Sequence, residues 1–224
     1  MGTTAHAQRR RAESYTWPLV AIALIIAPQL LIPASDRVGP PLAVPLIETC
    51  AFLVMLTIAA RPGPVPPRTR PLMLSLFGVL AAANAAAAFH LVAIVLDVTA
   101  VHQAHLTANR LLIAGALVLA TNVVTFGLLY WQLDGGGPAG RVRDPAPYPD
   151  FQFPQTNTPG LADPRWRPQF ADHLYVAFTN VIAFSPTDTM PLTRRAKGLM
   201  AVQSLISVAV LVVVLARVIN ILPT

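Results

Sequence analysis

Long runs of apolar residues alternate with short polar connections through the first two thirds of the chain. Each of four runs has roughly 18–27 residues, which at a helical rise of ~1.5 Å per residue crosses a hydrocarbon layer of ~30 Å. Because the connections between them are short, neighbouring helices should be antiparallel and form a four-helix sector. The four predicted helices are Trp17–Ala34, Pro41–Ala60, Pro71–Asp97 and Leu111–Trp131.

The pattern changes near the end of the chain. The apolar segment 171–187 is too short to cross a bilayer comfortably, and a basic turn (PLTRRAKG) and a long apolar helix follow it. This order predicts a re-entrant, pore-like helix-loop before a last membrane span. The fold class predicted is therefore all-α, a polytopic helical membrane protein with about five transmembrane helices plus the re-entrant segment.

Residues 133–170 are rich in proline and glycine, which argues against a helix or a central strand there. The segment also carries more aromatic residues than a solvated linker would. We expect an ordered loop that packs its rings at the membrane interface, with a floppy linker as the alternative. The chain then divides into a basic tail (1–16), a four-helix sector (17–132), the interfacial loop (133–170) and the pore-like segment with the final helix (171–224).

Composition supports lipid as the solvent of this protein. Charged residues make up 12% of the chain, against about 25% in soluble domains, and 54% of the residues are hydrophobic. The net charge of +6 comes from arginines clustered between apolar runs, a distribution that orients membrane proteins and does not point to nucleic acid. The cluster Arg9–Arg11 predicts a cytoplasmic N-terminus, and it also places the 133–170 loop and the mouth of the re-entrant segment on the cytoplasmic side.

Three polar residues within the predicted spans are candidates for intramembrane chemistry. Glu48 and His90 lie at similar depths, about 10 Å from one membrane face, so they could form a pair between adjacent helices. Asn122 is a third candidate partner. A proton relay and a buried structural hydrogen bond are both compatible with this placement.

The short segment before the final helix supplies a second set of candidates. Asn180 lies among apolar residues, and it either bonds a neighbouring helix or lines a pore. Asp188 could cap the next helix, attract a cation at a pore mouth, or pair with Arg194 or Arg195. The candidate pore-facing or ion-facing residues are Asn180, Ser185, Thr187 and Asp188.

Enzymatic chemistry and cofactors are not expected. The chain lacks phosphate-loop, dinucleotide-binding and metalloprotease motifs, and no catalytic triad is evident. His102 and His105 have only Asp97 as a nearby acid, so no metal site is predicted. Cys50 lies in an apolar run and should pack as a small hydrophobic residue.

The sequence YVAFTNVIAFSPTDTMPLTRRAKGLMAVQSLISVAVLVVVLARVIN resembles the two-helix pore module of potassium channels. Phe178 and Thr179 match the start of that family's pore segment, Asp188 its filter aspartate, and Leu215–Arg217 the end of its inner helix. The resemblance implies a homotetramer around a pore that passes monovalent ions, entered by the loop from the outside of the cell. That direction conflicts with the side predicted from the arginines.

The match fails at the filter itself. Where the family has T-V-G-Y-G, this chain has Ala183-Phe184-Ser185-Pro186-Thr187, and without glycines the carbonyl ladder of a potassium filter cannot form. The whole chain also resembles uncharacterised bacterial integral membrane proteins that share its F-x-F-P-Q and A-F-S-P-T-D segments, which implies the bacterial plasma membrane. We therefore expect a channel-like protein whose pore is weakly selective or non-conducting. The alternatives are a proton-coupled transporter that uses Glu48 and His90, and a membrane scaffold or accessory subunit.

Overall fold

A computed structural model describes most of the chain, and it is helical. The described residues are 13–31, 43–61, 65–66, 68–97, 107–143, 148–158, 160, 162–163, 166–182 and 188–221. The elements are α1 (Thr16–Leu31), α2 (Ala43–Ala59), α3 (Thr69–Leu96), α4 (Ala108–Leu133), a 3₁₀ turn (Asp134–Gly136), α5 (Gly137–Arg143), β1 (Phe151–Gln152), α6 (Pro154–Asn157), α7 (Phe170–Ile182), β2 (Met190–Pro191) and α8 (Arg194–Ile221).

The helical content confirms the all-α class. Three helical stretches are long and apolar enough to span a membrane, which supports a membrane protein. They are Thr69–Leu96, Ala108–Arg141 and Arg194–Ile219. The described parts of α1 and α2 are shorter apolar helices of 16 and 17 residues. The count of five spans therefore stays a prediction.

Helix α4 is the centre of the bundle, in contact with α1, α3, α7 and α8. Every residue from Val124 to Leu133 is buried, because neighbouring helices cover that half of α4 from several sides. A second apolar cluster, built from α3, α4 and α8, lies towards the other end of α4 around Leu111, Val210 and Val214.

Several chain segments meet at one end of the bundle, which we call the loop end. Here Arg70, at the start of α3, donates from Nε and Nη2 to the carbonyl oxygens of Gln132 and Leu133, at 3.4 Å and 3.2 Å. These carbonyls belong to the last turn of α4, which has no helical partners for them, so the guanidinium caps that helix. The loop end also holds the starts of α1, α7 and α8.

The loop after α4 contains more helix than its composition predicts. Residues 137–143 form α5 and residues 154–157 form α6, so the expectation that proline and glycine exclude helix here is wrong for these two short stretches. Prolines at helix starts explain part of the difference, since Pro138 and Pro154 lie in first turns, where no amide hydrogen is required. Gly137 has φ +79° and a Cβ there would lie 2.9 Å from the Gln132 carbonyl oxygen, so glycine permits the chain to turn this closely.

The aromatic residues of the loop are mostly buried. Phe151, Phe153 and Phe170 are 2–4% exposed, and Phe153 packs edge-on against Trp166 with ring centroids 5.7 Å apart. Tyr148 is the exception, because 84% of it is exposed. The rings of this loop thus cover the end of the helix bundle.

We predict opposite effects for two glycine-to-alanine substitutions. At Gly127 on α4, a Cβ would lie 3.0 Å from Leu174 Cδ1 and 3.2 Å from Leu174 Cα, whereas at Gly78 on α3 nothing lies within 4 Å. Gly127→Ala should therefore destabilise the protein by about 1–3 kcal/mol through overpacking, and Gly78→Ala should stabilise it by up to about 1 kcal/mol through helix propensity.

Denaturant titration of the detergent-solubilised variants measures both free energies of unfolding. If Gly127→Ala is as stable as the parent protein, α4 and α7 are not in close contact.

Candidate functional site

The half-length helix α7 begins at the loop end and runs beside α4 into the bundle. Phe170, its first residue, places its ring 5.9 Å from that of Trp131 near the end of α4. One turn further, Leu174 packs against Gly127. Helix α7 therefore runs antiparallel to α4 and leads away from the loop end.

Four side chains fix the far end of α7 to α8 and α4. The Asn180 amide nitrogen donates to the Met200 carbonyl oxygen at 3.0 Å and to Gln203 Oε1 at 2.9 Å. Ser204 Oγ donates to Asn180 Oδ1 at 3.2 Å, and the hydroxyl of Tyr130 donates to Gln203 Oε1 at 2.6 Å. Because Asn180 and Gln203 are both buried, these bonds satisfy amides that could not reach water.

The same contacts give the depth that α7 reaches. Gln203 is nine residues into α8, about 14 Å from its start, and Asn180 is ten residues into α7, about 15 Å from its start. The two lengths agree, so α7 and α8 start at about the same level.

After α7 the chain comes back to the loop end. Strand β2 pairs antiparallel with β1, with Phe151 opposite Pro191, and Leu192 N donates to the Asp150 carbonyl oxygen at 2.8 Å. The described segments 170–182 and 188–192 are therefore the two arms of a hairpin. The first is a helix about 20 Å long that runs into the bundle, and the second lies at the level where that helix began.

Two buried carboxylates hold this hairpin at the loop end, and Asp134 is the first. Its Oδ1 accepts from the backbone nitrogens of Asp150 and Phe151, at 2.8 Å and 3.1 Å, and its Oδ2 lies 3.2 Å from His173 Nε2. A single side chain at the end of α4 thus binds both the loop strand β1 and the first turn of α7.

Hydrogen-bond partners assign the protons of the Asp134–His173 pair. His173 Nδ1 lies 2.7 Å from the Gln169 carbonyl oxygen, which can only accept, so Nδ1 carries a hydrogen. Two backbone N–H groups favour the ionised form of Asp134, and an ionised carboxylate also only accepts. One hydrogen between Nε2 and Oδ2 completes the pair, which joins α7 to the end of α4.

Asp150 is the second carboxylate, and it binds the start of α8. Its oxygens accept from Arg195 Nε at 2.7 Å and Nη2 at 2.8 Å, while Thr193 Oγ1 donates to Oδ1 at 2.5 Å. Thr193 Oγ1 also accepts from Ala196 N and so caps α8. Asp150 itself is fully buried, so this fork of donors provides its charge compensation.

The start of α1 is held at the same end. Glu13 accepts hydrogen bonds from Trp131 Nε1 and, at 2.8 Å, from Arg141 Nη2. Arg141 Nη1 donates to the carbonyl oxygens of Trp131 and Asp134. Tyr15 packs edge-on against Trp131 at 5.2 Å. Burial, together with the Glu13 carboxylate, raises the pKa of Tyr15 to about 12 against the opposing charge of Arg141, so its hydroxyl stays neutral.

Of the predicted pore residues, the structure describes Asn180 and Asp188. Asn180 is 2% exposed and donates hydrogen bonds to α8. Of the two roles predicted for it, the structure shows the bond to a neighbouring helix. Asp188 is exposed, and the cap of α8 and the ion pair of Arg195 come from Thr193 and Asp150 instead. Ser185 and Thr187 lie outside the described residues.

The structure does not bring together the residues of the predicted intramembrane relay. Glu48 is fully buried and accepts hydrogen bonds from Gln29 and Thr121, whereas His90 is exposed on the outside of α3. Asn122 is fully buried next to Thr121, and neither end of its amide has a hydrogen-bond partner among the described residues. Gln29 and Thr121 are therefore the hydrogen-bond partners of Glu48, a role that the sequence predicted for His90.

Among the described residues, no group of three histidine, cysteine or acidic side chains is placed to hold a metal ion. His102 and His105 lie outside the described residues, and Cys50 is exposed on α2. Comparisons of the chain with models of known protein families, with curated proteins and with solved structures found no match.

Several residues of this site were missed in the sequence, and some had a signal. Gln203 is a lone amide in the long apolar run of the final helix, and such a residue needs a partner in lipid, so it could have been paired with Asn180. Asp134, Asp150 and His173 had no comparable signal, because their role depends on a loop path that spacing does not reveal.

We predict that Asp134→Asn destabilises the protein by about 1–3 kcal/mol, because a neutral amide oxygen is a weaker acceptor than a carboxylate for the backbone nitrogens of Asp150 and Phe151. The matched control is Asp188→Asn at an exposed position, which should change the free energy of unfolding by less than about 0.5 kcal/mol. Denaturant titration measures both. Equal stabilities would mean that the carboxylate of Asp134 does not hold the loop end together.

Proposed function

We propose that α4, α7 and α8 form a pore-loop module, which is channel-like and lacks a potassium-selective filter. The observation that carries this proposal is the hairpin: its first and last residues lie at the loop end, while Asn180 is held about 14 Å along α8. The channel module that the sequence resembles has the same order of elements: a full-length helix, a half-length helix with a return segment, and a second full-length helix.

The outer faces of the module support assembly with further copies. Tyr175, Phe178 and Ile182 lie on one side of α7 and are 48%, 51% and 62% exposed. On α8, Leu205 and Ile219 are 71% and 69% exposed. These apolar surfaces suit either lipid or another protein chain. We propose that α7 faces a symmetry axis in a homo-oligomer, with four copies favoured.

The same arrangement accounts for weak selectivity or none. The one amide of α7, Asn180, is used internally, so the outer face of α7 offers a passing ion few ligands. In this proposal the residues that meet an ion are Ser185, Thr187 and Asp188 of the return segment. Without glycine, and with Pro186 among them, they do not build a potassium-type ladder of carbonyl oxygens.

Charge distribution supports a cytoplasmic loop end. Among the described residues, Arg110 and Arg217 lie towards the opposite end, and the other basic side chains cluster at the loop end. By the positive-inside rule the N-terminus and the mouth of the hairpin then face the cytoplasm of a bacterial plasma membrane, with α1 and α2 as further spans. The loop-end basic residues are Arg61, Arg68, Arg70, Arg141, Arg167, Arg194, Arg195 and Lys197.

Cysteine cross-linking tests the shared axis, because the chain has one native cysteine, Cys50. In a Cys50→Ser background, Phe178→Cys should form covalent dimers on oxidation in the membrane. Leu24→Cys is the matched control, since it is 68% exposed on α1 and should face lipid. Equal, low cross-linking at both positions would contradict the proposed axis.

Ion flux into liposomes tests the missing filter. If the assembled protein conducts, its flux should not discriminate K⁺ from Na⁺, and Asp188→Asn should reduce cation flux by removing an acidic ring from the mouth. A flux that strongly prefers K⁺ would contradict the proposal.

A further inference from the structure

Glu48 is the sixth of the 17 residues of α2 and is fully buried against α1 and α4. The Gln29 amide nitrogen lies 3.0 Å from Glu48 Oε1 and 2.8 Å from Oε2, and Thr121 Oγ1 donates to Oε1 at 3.4 Å. Ile25, one turn before Gln29 on α1, is also buried. The carboxyl group is thus closed off from water by helices on several sides.

Among the residues that the structure describes, the hydrogen-bond donors around Glu48 are too few for a buried carboxylate. A carboxylate offers about four acceptor sites. The Gln29 nitrogen has two hydrogens, but it also lies 3.0 Å from the Ile25 carbonyl oxygen and 3.3 Å from Thr121 Oγ1. Four oxygens therefore share two N–H hydrogens, and Thr121 adds one weak donor at 3.4 Å.

Charge compensation is also lacking on the helices that pack against α2 and on α4. Helix α1 carries no titratable side chain, and the only other one on α2 is the exposed Cys50. The remaining titratable groups are engaged or distant: Arg70 of α3 caps α4 at the loop end, His90 of α3 is exposed, Tyr130 of α4 bonds Gln203, and Arg110 of α4 lies two residues from its start.

We propose that Glu48 is a proton-binding site, which holds its proton as a neutral carboxylic acid at neutral pH. An unpaired carboxylate in a medium of low dielectric constant is strongly disfavoured, and taking up a proton both removes the charge and adds the missing donor. With the proton on Oε1, Glu48 can donate to Thr121 Oγ1, and the Gln29 amide can donate to Oε2 and to the Ile25 carbonyl oxygen.

A polar strip on α4 connects this site towards the loop end. Thr125 lies one turn after Thr121 on the same face of the helix, and Asn122 lies between them. The Thr125 hydroxyl and both ends of the Asn122 amide are buried without a hydrogen-bond partner among the described residues. These groups lie on the loop-end side of Glu48, and each can form a further hydrogen bond. This inference does not depend on the pore-loop proposal.

Infrared spectroscopy of the full-length protein in lipid tests the site directly, because a neutral carboxylic acid has a carbonyl stretching band that a carboxylate lacks. Glu13 and Glu48 are the two glutamates of the chain, so ¹³C-glutamate labelling shifts any glutamic acid band and separates it from aspartic acid. We expect a labelled band at neutral pH that disappears at alkaline pH. It should be lost in Glu48→Gln and retained in Glu13→Gln, the matched control, since Glu13 is ion-paired with Arg141.

A labelled band that is absent from the parent protein at neutral pH, or that survives in Glu48→Gln, overturns the proposal. The spectrum of the labelled parent protein shows whether the band is present without any variant. The test therefore still decides the question if Glu48→Gln does not fold. Modification by a hydrophobic carbodiimide, which adds the O–H of a neutral acid across its C=N bond, provides a second readout. Mass spectrometry should find it on Glu48 and not on Glu13.

Discussion

The arrangement of the C-terminal half depends on two buried carboxylates at one end of the bundle. Asp134 ends the central helix and binds both the loop strand and the first turn of α7, and Asp150 binds the start of α8 through Arg195. Helices α4, α7 and α8 pack with apolar surfaces that do not by themselves fix how far each helix enters the bundle. The hydrogen bonds of these carboxylates are directional, and they set the three helices at one level.

A second set of directional contacts sets the depth. The Asn180–Gln203 pair, with Tyr130 and Ser204, fixes the far end of α7 to both of its neighbours. Between these two polar layers the contact is close and apolar. At Gly127 helix α4 has no side chain, so Leu174 of α7 approaches its backbone closely. Polar bonds at each end and tight packing between them hold a half-length helix that has few residues of its own to anchor it.

The sequence was most informative where periodicity and length carry the signal. Helices α3, α4 and α8 were predicted from their apolar runs, and the short segment before α8 was recognised as too brief to cross a membrane. Contacts across the fold were much less predictable. Glu48 was identified as a buried ionisable residue, but depth along a helix does not give its direction, and His90 points away from it. Asp134 and Asp150, which organise the loop end, lie in a proline- and glycine-rich segment. The composition of that segment does not predict the course of its backbone.

Helix α7 should enter the apolar layer, and the chain should return on the same side. Labelling with a membrane-impermeant maleimide tests this most directly, using single cysteines in a Cys50→Ser background at Ala171 and Met190, which are exposed on either side of the hairpin. Thr107, exposed at the opposite end, marks the other face. Ala171→Cys and Met190→Cys should both be labelled from the side opposite to Thr107→Cys. Labelling of Ala171→Cys and Met190→Cys from different sides would mean that the segment crosses the membrane, and would contradict the account.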